Sequence, residues 1–203
     1  MASRILRTVV PMLVAVAAGA LVLVLVVREV APHSWNGTAF ASATPAPPFS
    51  GLTDDAGNPA DLAAQEGKVV VVYFGYTSCP DVCPLTLSRA ARAIDALGDR
   101  GDDVQLYMVS VDPARDTLDR LGEYLRHFDD RFVGLGGDVD TVADVAASYG
   151  VFFEVQPPDD TGFYEVDHTA TLLGIDRDGN LKVIWDPDIE ADPLQSDLEE
   201  LLG

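Results

Sequence analysis

The sequence predicts an α/β three-layer sandwich built on one mixed sheet and preceded by a single membrane-spanning helix. Three observations carry that expectation. The run "KVVVVYF" at 68–74 is apolar and β-branched, as a central strand covered on both faces requires. Strand-like and helix-like stretches then alternate, the pattern of parallel strands joined by crossover helices. Finally, "TATLLGID" and "LKVIWD", joined by "RDGN", form a hairpin through Asp178-Gly179 ahead of a last helix.

From the N-terminus, residues 9–27 hold no charge, close to the roughly 20 helical residues that cross a bilayer core. Arg4 and Arg7 precede this run, whereas Arg28 and Glu29 after it nearly cancel. The positive-inside bias then puts residues 1–8 in the cytoplasm and the chain beyond the run outside it, in a single-pass protein of the cell membrane. "AFA" at 39–41 has the form of a signal-peptidase site but stands far from the apolar run. That run also exceeds the usual h-region of roughly 7–15 residues, so an uncleaved anchor is expected. Residues 28–48, rich in Ala, Pro, Ser and Thr, have the composition of a flexible extracytoplasmic tether. The tether carries an N-x-T sequon at Asn36 and a tryptophan, Trp35, suited to the membrane interface.

The folded domain is expected over 49–203. "DDAG" and "GNPA" mark turns in an irregular lead-in before the central strand. In "LTLSRAARAIDALG", Leu87, Ala90, Ala91, Ile94 and Leu97 recur at helical spacing, with Gly98 as the stop. "VQLYMVSV" is a second strand. "DTLDRLGEYLRHF" is a helix with Asp116 at its N-cap and Leu118, Leu121, Leu125 and Phe128 on one face. "FVGLGG" suits a short edge strand, Asp138 caps a helix that stops at Gly150, and "VFFEV" is a further strand. A Pro- and Asp-rich loop spans 156–162, and Asp192 and Pro193 open the last helix.

The net charge of −20, with two lysines in 203 residues, leaves no basic patch for a phosphate backbone and excludes nucleic-acid binding. Such self-repulsion largely disappears at about 1 M salt, where the Debye length is about 3 Å, so the composition suggests a halophile. Two cysteines are too few for a disulfide scaffold; the core must hold itself together.

Those two cysteines lie in "YFGYTSCPDVCP" at 73–84. The strand-to-helix setting places Cys79 just before a helix N-terminus, where unpaired N–H groups favour a thiolate. Cys83 is four positions on, and i, i+4 Cβ atoms on a helix are about 5–6 Å apart. A disulfide wants about 3.5–4.5 Å, whereas two metal–sulfur bonds of about 2.3 Å span the gap more comfortably. A staple, a dithiol catalyst and a soft-metal clamp all remain open on spacing alone. Of three histidines, His33 falls in the tether and His127 on a charged helix face. His168, in a loop directly before a core strand, is the candidate third ligand; two thiolates and an imidazole suit Cu(I). Asp81 adds negative charge between the cysteines, and Asp167 is a candidate to hold the second ring nitrogen of His168. Arg115 has carboxylates within reach at Asp116 and Asp119.

"FGYTSCPDVCP", "SVDPARDT" and "VDHTATLLGID", in this order and spacing, closely resemble the Sco/SenC family over roughly 52–202. Leu118 stands where that family often has proline after "RDT". The resemblance implies a thioredoxin-like fold, membrane anchoring, and copper, as Cu(I) or Cu(II), held by Cys79, Cys83 and His168, with Asp112 nearby as the alternative to Asp167 for holding the second ring nitrogen of His168. It implies delivery of that copper to the copper-binding subunit of cytochrome c oxidase during assembly, a binding role without turnover. A thiol–disulfide oxidoreductase acting on that subunit's cysteines, with a thiol reductant as partner, is the alternative. Against it, the spacing is one residue longer than C-x-x-C, and Ala170 stands where such enzymes carry a proline.

Overall fold

Val69 to Gly75 form strand β3, every residue of which is buried, and the rest of the architecture is arranged around it. The structure, a computed structural model, describes residues 33–203, so the expected anchor at 9–27 lies outside the described residues. Among the described residues no helix is long and apolar enough to cross a membrane. Residues 35–203 form one compact unit.

The described residues form nine strands: β1 (Thr38–Pro45), β2 (Thr53–Asp54), β3 (Val69–Gly75), β4 (Val104–Ser110), β5 (Val133–Gly136), β6 (Phe153–Val155), β7 (Val166–His168), β8 (Leu172–Ile175) and β9 (Asn180–Trp185). Helices are α1 (Val82–Ala96), α2 (Leu118–Leu125), α3 (Val139–Ser148) and α4 (Ala191–Leu202). Seven strands make a mixed sheet in the order β1-β9-β8-β3-β4-β5-β2. β3, β4 and β5 are parallel, and β8 runs antiparallel to β3. Tyr73 faces α1, whereas Phe74 on the opposite face meets Tyr149 at the end of α3, with ring centroids 5.7 Å apart. α1 and α4 pack together beneath the sheet, where Thr86 donates to the Pro187 carbonyl at 3.1 Å.

The expected single sheet is in fact two. "VFFEV" contributes β6, which pairs only with β7 in a separate two-stranded sheet. Val151 is buried in the core and Phe153 packs half-buried against it, but Phe152 and Val155 are exposed, so the apolar pattern belongs in large part to a peripheral hairpin. "FVGLGG" is β5, but it is not the edge: the two-residue β2 covers it. The glycines in β5 have a packing reason. A Cβ on Gly134 would come within 2.4 Å of Leu121, so α2 can lie on this strand only where side chains are absent.

The expected tether at 28–48 is also corrected, because residues 38–45 form β1 on β9. This mostly exposed edge strand has no apolar alternation to announce it, and its ending proline is tolerated at an edge. Its entry is fixed by the fully buried Asp197 of α4. That carboxylate accepts from the backbone N–H of Asn36 (3.0 Å) and Gly37 (3.1 Å), the Asn36 side chain (2.9 Å) and Trp185 Nε1 (2.7 Å). Trp35 packs against the core, contrary to the interfacial role expected of it.

Asp116 is not the N-cap of α2. Thr117 takes that place, its side chain accepting from the Arg120 N–H, and Asp116 turns inward. Asp138 does cap α3, accepting from Thr141 N–H at 2.8 Å.

Candidate metal centre

At the C-terminal end of β3 the chain turns through 76–81 into α1, as "GYTSCPD" predicts. Gly75 permits close packing here. A Cβ on it would lie 2.6 Å from the Tyr73 ring and 3.1 Å from both Cys83 Sγ and the Met108 methyl. Cys83, in the first turn of α1, is fully buried, and its N–H donates to Cys79 Sγ at 3.4 Å. His168 arrives from the other direction, as the last residue of β7. Its Nε2 stands 3.6 Å from Cys83 Sγ. The ligand atoms of Cys79, Cys83 and His168 all lie within 4.8 Å of one another. Both thiols are free.

The two sulfurs differ in charge. The Cys83 thiol donates to Cys79, and together with His168 and the N–H groups of Cys83 and Asp81 it holds the Cys79 pKa down to about 3, against burial. Cys79 in turn, with burial, raises that of Cys83 well above its ordinary value. One thiolate and one thiol therefore share the pocket. Burial also pushes the Tyr73 hydroxyl up, as do the two sulfurs. The expected site-rim aromatics are in place: the Tyr73 and Tyr76 rings meet the His168 ring edge-on, at 6.2 and 5.8 Å.

The expected partners of His168 are not its partners. Its Nδ1 is buried with no hydrogen bond. Asp167 is exposed and accepts from Gln156 Nε2 at 2.7 Å, because alternate residues of β7 point to opposite sides. Asp112 is 1% exposed and engaged elsewhere: it pairs with Arg115 and accepts from the Tyr164 hydroxyl at 2.8 Å. Arg115 thus pairs with a carboxylate at the site, Asp112, and not through a helix-start ion pair with Asp116 or Asp119. Asp81 is exposed and its side chain caps nothing; its backbone N–H is what reaches Cys79. His127 is an exposed helix-end residue whose Nδ1 lies 2.7 Å from the Glu123 carbonyl.

Sequence reasoning missed the residues that hold the cysteine turn. Asp116 accepts from Thr77 N–H at 3.0 Å, Thr77 Oγ1 at 2.5 Å and Ser110 Oγ at 2.7 Å. Arg120 closes the network by donating to Thr77 Oγ1 (2.8 Å) and Ser78 Oγ (3.0 Å). An aspartate just ahead of a helical pattern has the form of a cap, and nothing in the sequence marks this one as buried.

With this geometry in view, comparison with known proteins decides the family. The SCO1/SenC family model matches residues 40–203. The chain belongs to the SCO1/SenC family. The solution structure of metal-free Sco1 from Thermus thermophilus is 35% identical, covers 85% of this chain and 99% of its own, and superposes with a TM-score of 0.73. ScoI from Bradyrhizobium japonicum, solved with copper bound, is also 35% identical, over 82% of this chain and 99% of its own, with a TM-score of 0.69. Mitochondrial SCO2 of Saccharomyces cerevisiae is 39% identical over 146 residues, 70% of this chain but only 47% of the yeast protein. The fold is accordingly the thioredoxin-like one of the Sco structures.

Proposed function

We propose that this protein is a copper-delivery protein of the outer membrane face, holding copper through Cys79, Cys83 and His168 and passing it to the copper-binding subunit of cytochrome c oxidase. The observation that carries the reading is the convergence of two sulfurs and one imidazole nitrogen within 4.8 Å. This soft S₂N donor set suits Cu(I), and one side of it is an easily displaced, hairpin-borne histidine. Sco family members are cytochrome c oxidase assembly proteins, and copper sits in the ScoI relative. Anchoring through residues 9–27, with the domain outside the cytoplasm, would keep the site at the membrane where that oxidase is assembled.

The test loads the full chain, reduced and anaerobic in detergent, with one equivalent of Cu(I), and measures retention against a chromogenic chelator. His168→Ala is expected to weaken binding at least about tenfold, since even an outer partner of a metal ligand is worth about 10–100-fold. Equal retention in both chains would refute the three-ligand site.

A second reading draws on the thiolate–thiol pair at Cys79 and Cys83, the charge arrangement of a dithiol reductant. Insulin disulfide reduction that persists in His168→Ala would favour it.

A further inference from the structure

The residues "DPARD", 112–116, touch both halves of the site while contributing no ligand. Asp116 grips the cysteine turn through Thr77. Asp112 and Arg115 grip the hairpin that carries His168, chiefly at Tyr164, with the Phe163 ring centroid a further neighbour 5.6 Å from the Arg115 guanidinium. The Tyr164 hydroxyl donates to Asp112 Oδ1 at 2.8 Å, and its carbonyl accepts from Arg115 Nη1 at 2.9 Å. The Arg115 guanidinium lies 3.6 Å from the centroid of the Tyr164 ring. Arg115 and Asp112 also pair with each other. Charge-assisted bonds and a cation over an aromatic face are the strong members of their classes.

The hairpin's other holds are few. β6 and β7 pair with each other, three residues apiece; Val166 of β7 is buried in the core and Phe153 of β6 packs half-buried against it, while Glu154 and Val155 are exposed. From Tyr164 to His168 is four residues, and Val166 between them is fixed through its N–H to the Tyr76 hydroxyl at 3.4 Å. His168 Nδ1, which in metal sites usually carries the orienting hydrogen bond, has none. Orientation of this imidazole therefore comes from the backbone that bears it, together with the Tyr73 and Tyr76 rings and Cys83 Sγ around it.

We infer that Tyr164, clamped by Asp112 and Arg115, is the positioning residue for His168: it sets how firmly the third ligand meets the metal, and thus how readily the metal leaves. This rests on the copper reading of the same site. The Asp112–Arg115–Tyr164 clamp acts on the histidine side, whereas the Asp116–Thr77–Arg120 network acts on the cysteine side. The two therefore differ in what they depend on.

A double-mutant cycle separates them. Cu(I) release from the full chain to a chromogenic chelator is timed for wild type, Tyr164→Phe, His168→Ala and the double variant, with thermal unfolding of each as a control. Tyr164→Phe removes one hydroxyl and is expected to speed release about five- to tenfold with His168 present, and to change nothing in the His168→Ala chain. Thr77→Val, on the cysteine side, is expected to speed release in both backgrounds. An equal effect of Tyr164→Phe in both backgrounds, or none in wild type, overturns the positioning role and leaves the three-ligand site standing. If His168→Ala itself releases copper no faster than wild type, the copper reading fails and the inference falls with it. Should Tyr164→Phe lower the melting temperature, Arg115→Lys supplies a second cut: it keeps the charge but loses the flat fork that stacks on Tyr164, and must give the same background dependence.

Discussion

Cys79 and Cys83 follow directly from β3, the all-buried strand at the middle of the large sheet, whereas His168 ends a three-residue strand of a separate two-stranded sheet. Core packing places the first pair: Gly75, Tyr73 and Met108 crowd around Cys83 Sγ. The third rests on a short strand with one core residue, Val166, and is held otherwise by side-chain hydrogen bonds and a guanidinium over the Tyr164 ring. The difference teaches that the site is built in two grades of rigidity. Buried packing tolerates no alternative arrangement without a cavity or a clash, while a surface hairpin opens at lower cost than the core does. A protein that must hold a metal and then surrender it has use for both grades. Ligand exchange can begin at the histidine while the sulfurs keep their place.

The widest gap between the two sides should appear on removing a ligand. Cys83→Ser replaces a buried soft donor by a hard one, and Cu(I) retention should fall by at least about a hundredfold, beyond the roughly tenfold expected of His168→Ala. Chelator competition on both variants checks the order. Equal losses would erase the distinction between a core-fixed and a hairpin-fixed ligand.

A smaller effect tests the packing itself. Gly75→Ala adds a methyl 2.6 Å from the Tyr73 ring and 3.1 Å from Cys83 Sγ, too close for either to remain in place. Overpacking of this kind costs about 1–3 kcal/mol, readable as a lower denaturation midpoint, and copper retention should drop with it. An equivalent substitution in the hairpin, Gly162→Ala, adds a methyl with nothing within 4 Å of it. Gly162 has φ +85°, so some stability is lost through backbone strain, but retention should hold.

The cysteine half was legible in the sequence and the histidine half less so, for physical reasons. A fully apolar β-branched run identifies a central strand, and a cysteine pair straddling the start of the next helix needs only local geometry to be placed. His168 reaches the pair through the sheet's topology, which periodicity does not encode; the family motif supplied it. Its supports stayed hidden. Asp167 was a plausible partner as the chain neighbour of His168 and Asp112 through the family resemblance, yet strand alternation turned Asp167 outward and Arg115 claimed Asp112. β1 was missed because an edge strand held by backbone pairing and a buried Asp197 needs no apolar alternation.

The finest test of the comparison counts protons. In the metal-free, reduced chain Cys79 is a thiolate down to about pH 3, while Cys83 remains a thiol well above its ordinary range. Copper needs both sulfurs deprotonated, so loading must expel the Cys83 proton but finds Cys79 already prepared. Titration with Cu(I) at about pH 8 in two buffers of different ionisation enthalpy should show about one proton released from the cysteines per metal. Thiolate absorbance before loading should correspond to Cys79 alone and vanish in Cys79→Ser. The sign for stability follows from the same shift. The Cys79 pKa is depressed from 9.0 to about 3 on folding, so its contribution is complete above pH 9 and lost as pH falls through about 3. Release of two protons would mean that both sulfurs wait as thiols. The asymmetry between the cysteines would then be gone, and with it the reason that the metal meets the thiolate first and the hairpin histidine last.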